Sequence, residues 1–283
     1  MKVGYLGPKA TFTHTAVLSF FQNGEETKAY QTIPSCIDGL LEGEIDYAVV
    51  PLENALEGSV SITLDYIIHE VTCTIVGELI LPIRQHLMMH PSQATNALTK
   101  ITKVFSHPHA IGQCHRYLHQ TIPTVHIVQQ DSTSTAAAFV ASHSDECYAA
   151  IANEMAAQTY GLEIVVRDIH SHNSNHTRFI ILSKETYEPK KAYLGQKTTL
   201  WITVPEDSAG ALHQILSTFA WRKLNLSKIE SRPMKTGLGN YFFIIDVEVD
   251  ETSSVLLQGA IDEIHALGCT VNSLGSYKYY LLD

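Results

Sequence analysis

Four short clusters hold the polar residues best placed for chemistry, each where an apolar run ends. The first is Gly7-Pro8-Lys9-Ala10-Thr11-Phe12-Thr13, directly after the run Lys2 to Leu6. Its glycine permits a tight strand-to-helix turn, and Thr11 and Thr13 can cap a helix. The free N–H groups of such a helix start can hold a carboxylate, although a plain capped helix accounts for the same residues. The second cluster, Val50 to Val60, crowds Glu53, Asn54 and Glu57 after an apolar strand, ahead of a helix that Gly58 or Ser59 would open. Either acid also favours a helix dipole, so the density of polar groups beside a buried strand is the signal.

In the third cluster, Phe105-Ser106-His107-Pro108-His109-Ala110-Ile111-Gly112-Gln113-Cys114, a strand runs into a polar turn and a helix. Ser106, at the strand end, is the cleft candidate, with Gln113 in the second helical turn. The fourth is Asn173 to Leu182, a polar loop carrying Asn175, Thr177 and Arg178 into the apolar run Phe179 to Leu182. An arginine at a buried strand end needs an anion, either a ligand carboxylate or an acidic side chain. His170, His172 and His176, like His107 and His109, have spacing that suggests metal ligation, but no Cys or acid joins them in a ligand pattern, so no metal is expected. No GxGxxG, Walker loop, GxSxG elbow or Cys-His nucleophile pattern occurs.

These clusters need a scaffold of strands that end in polar turns. The first two-thirds of the chain supplies one by alternating apolar strands (Lys2 to Leu6, Tyr47 to Val50, Val104-Phe105, Val125 to Ile127, Tyr148 to Ile151) with helical segments (Thr13 to Phe21, Pro34 to Leu41, Ala110 to Leu118, Thr135 to Ala141). Thr72 to Met89, rich in β-branched residues, reads as one long strand or a crossing pair. That alternation predicts an α/β fold whose ligand crevice lies at the carboxyl ends of the strands. Composition changes at Ser183 to Lys197, which gives a domain over 1–183, a linker over 184–197 and a second domain over 198–283. The second domain reads strand Thr199 to Val204, helix Gly210 to Trp221, strands Leu226 to Arg232 and Tyr241 to Val249, helix Ser253 to Ala266 and strand Thr270 to Tyr277, a ferredoxin-like βαββαβ order.

Composition narrows the function. The 283 residues are 45% hydrophobic and 17% charged, as in an ordinary globular protein with a sizeable core. A formal charge of −10 argues against nucleic-acid binding, which needs clustered cations. No run approaches the roughly 20 apolar residues of a membrane span. Met1 to Gly7 reads as a first strand and not as an export signal, and the five scattered cysteines suit free thiols, so a cytoplasmic location is expected.

The four clusters, in this order, resemble prephenate dehydratases. The likeness rests on Gly7 to Thr13, on Pro51-Leu52-Glu53-Asn54 followed by Glu57-Gly58, on Ser106-His107-Pro108 with Gln113-Cys114, and on Thr177-Arg178-Phe179 preceded by Asn175. The second domain resembles an ACT regulatory domain through Gly210-Ala211-Leu212 and Glu230-Ser231-Arg232-Pro233. Ala10, Ala55 and His109 depart from the commoner Gly, Ser and Gln.

The resemblance implies a two-lobed catalytic domain like that of periplasmic binding proteins, followed by the ACT domain. It implies decarboxylating dehydration of prephenate to phenylpyruvate with no cofactor, and control by phenylalanine in a homodimer or homotetramer. A chain that starts at Met1 on its first strand is expected to be the single-activity form, without a preceding chorismate mutase domain. The implied catalytic set is Thr177, Arg178, Asn54, Ser106, Gln113 and Glu53, with Thr11, Thr13, Asn175 and Phe179 on the substrate. Phenylalanine would sit among Gly210, Ala211, Leu212, Asn225, Leu226, Glu230, Ser231 and Arg232. Arogenate dehydratase differs only in the substrate side chain. A periplasmic-type binding protein and an amino-acid-sensing regulator are the non-enzymatic alternatives.

Overall fold

The computed structural model describes residues 1–22, 24–95, 98–187, 189–205, 209–234, 241–250 and 253–282. They form two compact units. One comprises Met1–Tyr66, Leu79–Phe179 and Leu282, the other Ile67–Glu78 and Ile180–Leu281.

The first unit holds the elements up to β11, except that the end of α3, the start of β5 and the end of β11 belong to the second. The chain runs β1 (Lys2–Leu6), α1 (Phe12–Phe20), β2 (Glu26–Tyr30), α2 (Ile33–Leu41), β3 (Tyr47–Asn54), β4 (Gly58–Ser59) and α3 (Ser61–His69). It continues through β5 (Thr74–Pro82), β6 (His86–Met89), β7 (Lys103–Ser106), α4 (Pro108–Thr121), β8 (His126–Gln129) and α5 (Thr133–Ala141). Then come β9 (Tyr148–Ala152), α6 (Glu154–Tyr160), β10 (Glu163–Val166) and β11 (His176–Ser183). Strands β5, β11, β3, β1 and β2 lie side by side in one lobe, with β1 parallel to both β2 and β3. α2 covers this sheet because Ile33, Cys36, Ile37 and Leu40 recur at helical spacing on one buried stripe. A Thr32–Ser35 capping box starts that helix.

The other lobe is a five-stranded sheet of order β10-β6-β9-β7-β8. Its inner strands β6, β9 and β7 are buried on both faces, so Leu87 to Met89, Ala149 to Ala152 and Val104-Phe105 are continuous apolar runs instead of alternating. Met88, Phe105 and Ala150 enter one core beside Ala136 and Ala137 of α5. Their neighbours Leu87, Val104, Ala149 and Ile151 enter another beside Ala110, Cys114 and Leu118 of α4. The period of two in a strand makes that division.

The second unit continues β12 (Gly195–Thr203), α7 (Ala211–Trp221), β13 (Leu226–Pro233), β14 (Tyr241–Val249), α8 (Ser254–Ala266) and β15 (Thr270–Leu281). This is the expected βαββαβ order, with the sheet order β13-β14-β12-β15. Leu200, Ile202, Phe243, Ile245 and Val247 face Ile215 and Phe219 of α7 and Leu257, Ala260 and Ile264 of α8. The part of β5 that belongs to this unit, Thr74 to Glu78, lies beside β15, where Gly275 (φ 144°) leaves no room for a Cβ against the Ile75 carbonyl. Next to it the buried Lys197 Nζ donates to Glu78 Oε1 at 3.0 Å and lies 4.3 Å from the Tyr279 ring centre.

Of the two readings of Thr72 to Met89, the pair holds: it forms two strands, β5 and β6, in different sheets, parted at Ile83 to Gln85. Other elements differ from expectation. Gly58-Ser59 does not open a helix but pairs back on Glu53 and Asn54, and α3 starts at Ser61. Residues 195–197, read as the end of the linker, already belong to β12. Thr177 and Arg178 sit inside β11 rather than in the loop before it. No helix among the described residues is long and apolar enough to cross a membrane.

Candidate active site

In the first unit the polar ends of β1, β3, β7 and β8 open onto a cavity of about 700 Å³. That volume suits a small organic ligand. Three helices point their N-termini at it. Thr11 caps α1, its Oγ1 accepting from the His14 N–H at 3.3 Å, and Phe12 and Thr13 line the wall. His107 caps α4, Ser132 caps α5 through a reciprocal pair with Thr135, and His109 and Thr133 follow on the wall. Each N-terminus carries unpaired N–H groups and a partial positive charge.

No Lys or Arg is among the described residues lining the cavity. An anion there is met by neutral donors and helix dipoles, which is how a chain of charge −10 can bind one. Two acids, Glu57 and Asp131, also line the wall, and Glu57 Oε2 lies 3.8 Å from His109 Nε2. Burial, followed by neighbouring His109, pushes the His107 pKa below its ordinary value, and Glu57 and Asp131 partly oppose that shift.

Strands β3 and β11, neighbours in the sheet, set the centre of the site. Asn54 Oδ1 accepts the N–H groups of Leu56 and Glu57 at 3.0 and 3.2 Å, which fixes the amide orientation. Its Nδ2 then donates to Thr177 Oγ1 at 2.9 Å. With its oxygen accepting from Asn54, the Thr177 hydroxyl keeps its own proton to give, and both residues line the cavity. One residue along each strand, the pleat reverses. Arg178 Nη1 bonds Glu53 Oε2 at 2.7 Å, with neither residue on the cavity wall.

The sequence candidates therefore divide. Thr11, Thr13, Asn54, Gln113, Thr177 and Phe179 line the cavity together. Glu53 and Arg178 satisfy each other, so the anion that the arginine needs is a protein carboxylate. Ser106 is fully buried and donates to the Ile151 carbonyl at 2.7 Å, holding β7 to β9 instead of facing the cleft. Asn175 lies behind the wall, 3% exposed, its carbonyl accepting from the Ile83 N–H at 2.9 Å. His170 and His176 are engaged locally, with the Gln85 N–H and the Ser174 carbonyl.

The apolar Leu6 and Ile83 and the polar Gln85, Asp131, Ser132 and Thr133 complete the wall and stand in none of the four clusters. Asp131-Ser132 ahead of the apolar run Ala136 to Ala141 was a usable N-cap signal for the last three. Nothing local marks Gln85.

In the second unit, a cavity of about 320 Å³ is lined by Gly210, Ala211, Leu212 and Ser231, with Tyr241 and Phe243. Gly210 caps α7 at φ 90° without a side-chain hydrogen bond. The other four residues expected there lie elsewhere. Asn225 donates to Glu248 at 2.7 Å, Leu226 packs on the core, and Glu230 pairs with Lys228 and Arg232.

Residues 3–187 match the family model for prephenate dehydratase. The prephenate dehydratase of Bacillus subtilis is 56% identical over 100% of both chains. The chain belongs to the prephenate dehydratase family. Two solved members share its fold. That of Arthrobacter aurescens, in complex with L-Phe, superposes with TM-score 0.84 at 32% identity, covering 98% of this chain and 90% of that one. The Staphylococcus aureus prephenate dehydratase gives TM-score 0.84 at 28% identity, covering 98% and 100%.

Proposed function

We propose that the cavity of the first unit carries out the family's reaction, the decarboxylating dehydration of prephenate to phenylpyruvate, with Thr177 acting on the departing hydroxyl. The observation that carries this assignment is the Asn54–Thr177 bond, which leaves a hydroxyl proton available at the cavity wall. The ring carboxylate leaves as carbon dioxide, and its bonding pair moves into the ring as the carbon–oxygen bond breaks. Hydroxide departs towards Thr177 and takes up a proton, supplied through that hydroxyl. Aromatisation drives the step, so the protein's task is to align the leaving groups and stabilise the charge on oxygen. The N-termini of α1, α4 and α5 suit the two substrate carboxylates. Gln113, Thr11, Thr13 and Phe179 act as contacts by virtue of their places on the wall.

The second unit reads as an ACT-type regulatory domain binding phenylalanine. Its uncapped α7 start suits the amino-acid carboxylate, and the cavity beside Tyr241 and Phe243 suits the ring. We expect a dimer or tetramer formed through this unit, whose α7 and α8 expose Trp221 (72%) and Val255 (77%). A cytosolic location agrees with the five free thiols.

Purified protein is mixed with prephenate, then separately with arogenate, and product is followed with and without phenylalanine. Conversion of prephenate suppressed by phenylalanine supports both assignments, and conversion indifferent to phenylalanine removes the regulatory one. Preference for arogenate moves the activity to the sister substrate. Gly210→Ala, which places a Cβ at φ 90°, is expected to raise the phenylalanine concentration needed for half-inhibition.

A further inference from the structure

Gln85 presents an unusual combination. The residue lines the active-site cavity yet is only 2% exposed, and its Oε1 is a buried acceptor without a hydrogen-bond partner. The main chain around it is fully engaged. Its N–H donates to His170 Nδ1 at 3.3 Å, and its carbonyl accepts from the Ile169 N–H at 2.9 Å. Two residues on, the Ser171 N–H donates to the carbonyl of Gln113, another residue of the cavity wall, whose own Oε1 is likewise buried and unpartnered. The 169–171 segment thus holds the main chains of two cavity residues whose amide oxygens are both left unpartnered. A buried polar atom left unpaired costs about 1–3 kcal/mol, so a sequence that served stability alone would place an apolar side chain here.

We infer that Gln85 is a substrate-contacting residue whose amide oxygen takes a hydrogen bond from the hydroxyl that leaves in the reaction; the inference rests on the dehydratase assignment above. The chemistry selects that group. With both carboxylates ionised, prephenate is rich in acceptors and offers one hydrogen to donate, that of its ring hydroxyl. Once that oxygen has taken its proton it is a water, which donates twice. Two unpartnered amide acceptors, Gln85 and Gln113, match the departing water better than the bound hydroxyl, and interactions that strengthen along the reaction lower its barrier.

The test substitutes Gln85→Met, which keeps length and volume while removing the acceptor, and Gln85→Leu as a second apolar variant. Three quantities are read: thermal midpoint, kcat/KM for prephenate, and affinity for phenylpyruvate (the product, which lacks the hydroxyl) by titration calorimetry. The expected result is a midpoint unchanged or a few degrees higher, kcat/KM lowered about tenfold or more, and phenylpyruvate affinity within about twofold of wild type. A midpoint lowered by several degrees in both variants would show that the amide serves the fold and overturn the inference. Unchanged kcat/KM would do the same. A parallel loss of phenylpyruvate affinity would place the contact elsewhere on the ligand and overturn the hydroxyl assignment. Wild-type turnover of prephenate, measured alongside, reports on the dehydratase assignment by itself, and the thermal comparison stands whether or not turnover is seen.

Discussion

Thr177 owes its position to a chain of fixed bonds. Two backbone N–H groups hold Asn54 Oδ1, and Asn54 Nδ2 holds the threonine oxygen. Thr177→Ala removes a small, largely buried hydroxyl without disturbing the Asn54 turn. We expect kcat to fall by roughly 10²–10⁴, the usual range for a proton donor, with the thermal midpoint nearly unchanged. Steady-state kinetics beside a melting curve check this, and unaltered turnover would remove Thr177 from the mechanism. Glu53 and Arg178 make the converse case. Their 2.7 Å pair is 17–28% exposed and lies off the cavity wall, so Glu53→Gln should act on stability, by about 1–2 kcal/mol in urea unfolding. The KM should stay within about threefold. A large KM change with full stability would return the pair to the substrate. The strand pleat explains why adjacent residues of one motif part in this way, and motif matching alone does not register it.

At the scale of elements, the cavity is built from helix starts. Ser132 and Thr135 cap each other's backbone at the start of α5, with Ser132 and Thr133 on the wall. Ser132→Ala should cost about 1 kcal/mol of stability and raise KM more than it lowers kcat, because the first-turn N–H groups lose their fixed direction. A kcat loss with constant KM would contradict that. Elements with a buried stripe, such as α2, were legible from their periodicity. Strand β2 was not, because Glu26 to Tyr30 forms a sheet edge with no fully buried residue, and an edge need not alternate. The short α6 and β10 escaped for a related reason, having few buried positions to set a period.

At the scale of the whole molecule, buried titratable groups set limits on pH. His14, His86 and His107 are all held below the ordinary 6.5, chiefly by burial. As pH falls through 6.5 the unfolded chain binds protons that the folded one refuses, so stability declines with falling pH. Below 4.5 the ion-paired Glu44 and Glu154, both lowered by their partners, add to that loss. At the alkaline end, burial lifts Cys36 and Cys114 to about 12, Cys73 to about 11 and Tyr5 to about 12. Above pH 9 the unfolded thiols ionise while the folded ones stay neutral, and stability falls again. Melting curves under reductant at pH 5, 7.5 and 10 should therefore peak at the middle value. A midpoint at pH 5 equal to that at 7.5 would mean that these histidines are solvated.

The sequence by itself determined the α/β alternation, the βαββαβ order of the second unit and the clusters holding Thr11, Asn54, Gln113 and Thr177. Apolar periodicity and turn chemistry are local properties, and each of these features is written within a few residues. Only the tertiary structure decided that Arg178 belongs to Glu53, that Ser106 belongs to Ile151 and that Gln85 stands on the cavity wall. Those outcomes depend on which strand lies beside which and on which face of the pleat a residue occupies. Both are settled by contacts between residues far apart in the chain, where local patterns carry no information.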